Sequence, residues 1–340
     1  MNKKFLVTAM SLVLAGGMGL ANADVVLYGQ LDVSIDSTDV DGGEDDINMG
    51  SNRSAVGVKG KEDLGGGLKA VYKVEWQVDI DDSEQGPGTN EDDTEGRNNS
   101  EFKGRDMFVG LKGNFGRVLF GSMSTAYKSP ASKLDPFYRT RNQSRNIGLQ
   151  SGLHKGRGEE GQGRATNTIR YDSPSLSGFK LAATYTLDNN KSDANDDDPY
   201  SLGVTYKGGN LYGFASYLTT QAGDDDSVFQ IGAKYKMGDA AVWGMYEVDD
   251  GRISGTTGTD KGADIFNLGG SYKIGNNLVS FDYAEGSESD NNTVPEYTTW
   301  RIGGKHMFSK RTMVYLTHSN QDIDGAGEID ITSLGLRIKF

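Results

Sequence analysis

Between residues 123 and 163 the chain carries Lys128, Lys133, Arg139, Arg141, Arg145, Lys155 and Arg157 against only three acids, Asp135, Glu159 and Glu160. The whole chain has the opposite sign, with 48 Asp and Glu, 35 Lys and Arg, and a formal net charge of −13. A basic segment in an acidic protein raises the local concentration of anions and repels cations. Arg53, Lys59, Arg105 and Arg170 are further cations, each in or beside a stretch of alternating polarity. Chemistry of this kind is electrostatic selection. No covalent machinery accompanies it: His154, His306 and His318 have no paired serine arrangement, and cysteine is absent. The chain is not read as an enzyme. It has no disulfide framework and no thiolate metal site, and neither a metal nor a cofactor is expected.

What matters next is the scaffold that aims these charges. Tyr, Phe, Val, Leu or Ile recur at period two, the spacing of strands with two unlike faces. Strands are predicted at about 25–35, 53–60, 68–80, 105–113, 116–122, 164–171, 178–187 and 200–207. The rest fall at 210–219, 227–236, 240–248, 263–274, 277–285, 296–307, 311–320 and 329–340. Short breaks such as Gly113-Asn114, Gly208-Gly209-Asn210 and Gly238-Asp239 alternate with long polar ones at 36–52, 81–104, 123–163, 188–199, 220–226, 249–262, 286–295 and 321–328. An even set of sixteen strands, with short turns at one end and long loops at the other, is the asymmetry of a bacterial outer-membrane barrel.

The ends of the chain agree. Lys3 and Lys4 precede an apolar stretch from Phe5 to Leu20 and then Ala21-Asn22-Ala23, so residues 1–23 read as a cleaved signal peptide and 24–340 as the barrel. After Asp24 no apolar run approaches the roughly 18 residues of a spanning helix. Barrels escape such a search because only alternate residues meet lipid. The last ten residues put Thr332, Leu334, Leu336, Ile338 and Phe340 on one face and Arg337 and Lys339 on the other. This strand is expected to pair with 25–35 and leave no open edge. Tyr171, Tyr185, Tyr217, Tyr246, Trp243, Tyr283 and Trp300 are expected near the headgroup zone.

Lipid near its midplane charges about 2–4 kcal/mol against Arg or Lys, so strand cations must point inward. Arg53 and Lys59 share a face with Ala55 and Gly57, opposite Val56 and Val58; Arg170 lies between Ile169 and Tyr171. Arg105 stays open between lumen and interface, because both faces of its strand carry apolar residues. Asp196-Asp197-Asp198 and Asp224-Asp225-Asp226 are two compact acidic clusters without EF-hand spacing. They read as solvated loop charge, with divalent-cation binding as the alternative.

Four stretches resemble the Gram-negative general diffusion porins, in particular the neisserial-type branch. They are Val26-Leu27-Tyr28-Gly29-Gln30-Leu31-Asp32, the run from Gly57-Val58-Lys59-Gly60 to Leu68-Lys69-Ala70, Phe108 to Val118, and Thr168-Ile169-Arg170-Tyr171-Asp172-Ser173-Pro174. The resemblance implies a 16-stranded antiparallel transmembrane β-barrel, all-β, trimeric and water-filled, with its third loop folded inward. A terminal aromatic such as Phe340 resembles that family's assembly signal. Two departures bear on selectivity. Gly121-Ser122 stands where the family has Gly-Arg, and Ala55 stands where it has an arginine, the nearest here being Arg53. The acidic Pro-Glu-Phe motif of enteric porins is also missing.

The expected function is passive diffusion of ions and small hydrophilic solutes across the bacterial outer membrane, as a homotrimer in contact with lipid and lipopolysaccharide and with no nucleic-acid partner. A constriction formed by Arg53, Lys59, Arg105 and Arg170 with Lys128, Lys133, Arg139, Arg141 and Arg145 would prefer anions weakly, with Asp135 as the main acidic counterweight. The alternatives are a channel selective for small anionic solutes and a surface adhesin or receptor barrel.

Overall fold

In the computed structural model the described residues are 23–81, 102–155, 157–158, 163–187, 198–219, 227–249, 263–289 and 294–340. Residues 1–22 of the signal-peptide stretch, most of the loop 81–104, Glu159, Glu160 and the acidic clusters at 196–197 and 224–226 lie outside them. No helix among the described residues is long and apolar enough to cross a membrane.

The strands are β1 (Ala23–Val40), β2 (Asp46–Ser51), β3 (Ala55–Gly65), β4 (Leu68–Val78), β5 (Phe102–Gly113), β6 (Gly116–Ser124), β7 (Arg157–Gly158), β8 (Arg164–Asp172) and β9 (Phe179–Thr186). They continue as β10 (Tyr200–Gly208), β11 (Leu211–Thr219), β12 (Ser227–Met237), β13 (Ala240–Asp249), β14 (Asp264–Ile274), β15 (Asn277–Gly286), β16 (Tyr297–Met307), β17 (Thr312–Ile323) and β18 (Gly327–Lys339). β2 and β3 both pair with β1 and form two halves of one stave, and β7 is a two-residue parallel bridge on β8. The remaining neighbours are antiparallel, and β1 pairs with β18 from Gln30↔Lys339 to Val40↔Ile329. The result is a closed barrel of sixteen staves.

Closure is sealed at the terminal residue. Gly29 and Phe340 exchange both backbone hydrogen bonds at 3.1 Å. The Phe340 ring packs over Gly29, where a Cβ would sit 2.4 Å from a ring carbon. Only glycine leaves room for it.

The two faces are inverted relative to a soluble protein. Outward positions carry Leu27, Ile35, Val109, Leu202, Leu268, Leu316 and Leu334, all exposed on the isolated chain. Inward positions carry Gln30, Asp32, Ser34 and Asp36 on β1, Thr299 and Arg301 on β16, and Ser333 and Arg337 on β18, all buried. Lipid covers the first set; the second faces the lumen and the segment that fills it.

Several strand boundaries differ from expectation, for one reason. The break 36–52 is a short hairpin, because β1 runs on to Val40 and β2 begins at Asp46. The break 321–328 shrinks likewise, to a turn between Ile323 and Gly327. Polar residues such as Asp36, Thr38 and Gln321 read as loop, yet a strand over a lumen or near a rim is polar on that side. Arg53 is not in a strand at all: it sits in the kink between β2 and β3 with φ of 59°. Trp243 does not join the headgroup zone. It faces inward, 2% exposed, and its Nε1 donates to Asp282 at 3.1 Å.

Candidate functional site

Residues 125–155, between β6 and β7, lie against the inward faces of distant strands. The segment contains one short helix, α1 (Lys128–Ala131), and two 3-10 turns, Ser144–Asn146 and Gly152–His154. Its backbone is irregular, so its polar groups need partners from the wall. Three buried anchors supply them.

The first is Arg301 on β16, fully buried. It bridges Asp135 of the segment at 3.0 Å and Asp282 of β15 at 2.8 Å, and donates to the Asn142 carbonyl. Asp135 also accepts the backbone N–H groups of Phe137 (2.9 Å) and Ser144 (2.8 Å). Asp135, expected as the main acidic counterweight at the constriction, is therefore a buried counterion of Arg301. Its charge is spent on a guanidinium 166 residues away. The second anchor is Glu247 on β13, which accepts from the Tyr127 hydroxyl, the Ser151 amide (3.1 Å) and hydroxyl (2.7 Å), and meets His154 Nε2 at 3.1 Å. The Tyr127 and His154 rings stack at 5.0 Å above it. The third is Arg337 on β18, which pairs with Asp32 and donates to the carbonyls of Tyr138 (3.2 Å) and Arg139 (2.8 Å). Lys305 adds a bond to the Pro136 carbonyl at 3.0 Å. All three anchors stand on β13–β18, so the segment leans on that wall.

The opposite wall carries a ladder of alternating charge. Arg105 binds Glu75 at 2.7 Å and Gln77 at 3.2 Å; Lys73 binds Asp106 at 2.9 Å and Glu75 at 3.2 Å; Arg164 binds Asp106 at 3.0 Å. A register shift between Val74 and Trp76 puts the consecutive residues Arg105 and Asp106 on one side, as a bulge does. This settles the facing of Arg105: it points inward, 4% exposed.

Facing this ladder, the segment presents Lys128, Arg139 and Arg145. Arg139 lies 3.9 Å from Glu75 and stacks beside Tyr138. Arg145 donates to the His154 carbonyl at 2.7 Å and lies over the Tyr138 ring. Burial, and then the fields of Arg145, Arg164, Arg105 and Arg53, hold the Lys128 ammonium well below the usual lysine range. Burial pushes the Tyr138 phenol up, but Arg145, Arg139, Arg105 and Arg164 outweigh it and leave its pKa lowered. Cations thus outnumber the carboxylates Glu75 and Asp106 here.

The other expected residues are dispersed. Lys59 lies over the Tyr28 ring at 4.7 Å. Arg141 stands within electrostatic reach of Asp36. Arg170 binds Asp172 at 2.8 Å, the Ser124 carbonyl and Ser129, and Lys133 lies over the Tyr212 ring at 5.0 Å. Sequence reasoning passed over Lys73, Glu75, Asp106, Arg164, Glu247, Asp282 and Arg301. A signal existed for most of them. Glu75 sits between Val74 and Trp76, Glu247 between Tyr246 and Val248, and Arg301 between Trp300 and Ile302, so the rule that turned Arg170 inward applies to each.

Two outcomes follow from this geometry. Glu247→Ala leaves two hydroxyls, an amide and an imidazole without their acceptor, at a cost of about 3–5 kcal/mol in anchoring. The barrel should still form, with open-channel current noisier than wild type; equally quiet current would contradict the anchor. For Lys128 the sign is set by its lowered pKa: the ammonium gains its proton only as pH falls through that value. Anion permeability should therefore rise on acidification, and Lys128→Met should remove part of that rise. Identical pH profiles for the two proteins would contradict it.

The sequence profile of the Gram-negative porin family matches residues 8–326. "Major outer membrane protein P.IB" of Neisseria sicca is 25% identical over 378 aligned residues, covering 97% of this chain and 99% of that protein. "Outer membrane porin protein 32" of Delftia acidovorans is 29% identical, covering 92% and 88%. Among solved structures, an anion-selective porin from Comamonas acidovorans superposes with a TM-score of 0.77 at 24% identity, covering 94% of this chain and all of that one. At that identity the likeness is one of fold. Given the closed barrel, its apolar exterior and the profile match over most of its length, the chain belongs to the Gram-negative porin family, an integral outer-membrane channel for passive diffusion.

Proposed function

We propose that this porin prefers small anions. One observation carries the reading. Arg139 and Arg145 approach Arg105 and Arg164, while Asp135, the one acid of residues 125–155, is turned away onto Arg301. Both sides of the passage then carry positive charge. A cation entering meets repulsion from wall and segment together, and an anion is drawn in. In this reading Arg164 replaces the wall charge absent at Gly121-Ser122, since it pairs with Ser124 on β6, two residues along from Ser122.

The reading extends to assembly and maturation. Residues 1–23 are removed on export, the mature barrels associate as homotrimers with lipopolysaccharide around them, and no catalysis is involved. N-terminal sequencing should begin at Asp24, and a heat-sensitive trimer should appear on a denaturing gel.

The decisive measurement is the zero-current potential across a planar bilayer under a potassium chloride gradient. Anion sign is expected; cation sign overturns the reading. Arg139→Glu should shift the permeability ratio toward cations by about fivefold, the size of one partly exposed charge interaction. No shift would remove Arg139 from the selectivity site.

A further inference from the structure

A cavity of about 530 Å³ opens at the short-turn end of the barrel, apart from the cluster around Arg105. Its floor is the ends of β5 and β6, the turn after β8 and the facing residues of β9 and β10, and its roof is α1. By the asymmetry of outer-membrane barrels this is the periplasmic side. Five cations line it, Lys112, Arg117, Lys133, Arg170 and Lys180, with Asp172 as the one acid in the lining.

That acid is already used. Asp172 takes Arg170 at 2.8 Å and Arg117 at 2.7 Å, so two guanidinium groups share one carboxylate. Among the described residues no carboxylate pairs with Lys112, Lys133 or Lys180. Lys112 and Arg117 are cross-strand partners, like charges set side by side. Lys133 is held in place: its ammonium lies over the Tyr212 ring, and the Tyr212 hydroxyl is tied to the Pro130 carbonyl at 3.2 Å. Burial first, then Lys180, Lys207 and Arg170, push the Lys133 pKa down. A roomy space with surplus positive charge converging from two sides suits an anion.

We propose that this alcove is a binding station for small dianionic oxyanions of the phosphate class, placed between the constriction and the periplasm. Lys133 and Lys180 grip the anion from roof and floor, and Lys112 and Arg117 close the third side. Charge-assisted contacts from several donors favour a doubly charged, many-oxygen anion over chloride. The volume exceeds that of inorganic phosphate and admits a small phosphorylated solute. The station rests on the anion-preferring reading above and deepens it: anions pause here after the constriction.

The test is single-channel recording of the full-length protein in potassium chloride, with inorganic phosphate added to one side at a time. Phosphate should reduce the chloride current saturably, and at lower concentration from the short-turn side. Lys133→Gln and Lys180→Gln should each raise the half-blocking concentration by about fivefold. The potassium chloride conductance of each variant reports that its barrel has formed. A linear, non-saturating phosphate effect, or block unaltered in both variants, overturns the station while leaving the channel reading in place. Absence of any conductance in the wild-type protein would instead overturn the channel reading itself.

Discussion

The rest of this structure depends on the pairing of β1 with β18. Hydrocarbon offers no hydrogen-bond partner, so a sheet that crosses it must leave no backbone group unpaired. The exchange between Gly29 and Phe340 completes the ring at the last residue of the chain. Once the ring is closed, each strand has one face toward lipid and one toward a polar interior. That inversion makes room for charge. Arg301, Glu247 and Asp282 could not be tolerated as buried residues unless each found a partner, and inside this barrel each does.

The interior then divides by sign. On β13–β18, wall groups reach out to the segment 125–155 and fix its irregular backbone through its carbonyls, its hydroxyls and Asp135. Such buried pairs bring modest net stability but strong geometric definition, since breaking one strands a charge. The segment's surplus cations are left to face the β4–β8 wall, where Glu75 and Asp106 are already engaged by Arg105, Lys73 and Arg164. Anchoring and selectivity are thus two sides of one element. The contacts that hold it in place also consume its acid.

The sheet was largely legible, and its failures are instructive. Period two found every stave, because a lipid-facing row at i, i+2 and i+4 is a local property of the strand. It fell short at β1, β2 and β17, where an inward row of Ser, Asp and Asn looks like loop. It misassigned Trp243, because strand position alone does not say on which side of the barrel wall an aromatic ring lies. It could not see the kink at Arg53 or the bulge at Arg105 and Asp106, since a single extra residue leaves no periodic trace.

By itself, the sequence determined the class of fold, the family, the inward direction of Arg170 and Lys59, and the basic character of residues 123–163. These follow from composition and from alternation along one strand. Which charges remain free was decided only in three dimensions. Asp135 meets Arg301, Arg164 meets Asp106 and Arg117 meets Asp172 across separations of 166, 58 and 55 residues. The physical reason is that a Coulomb interaction depends on distance through space, and closure of the barrel sets that distance. Counting charges along the chain gave the sign of the segment; only the pairing showed which of them the lumen meets.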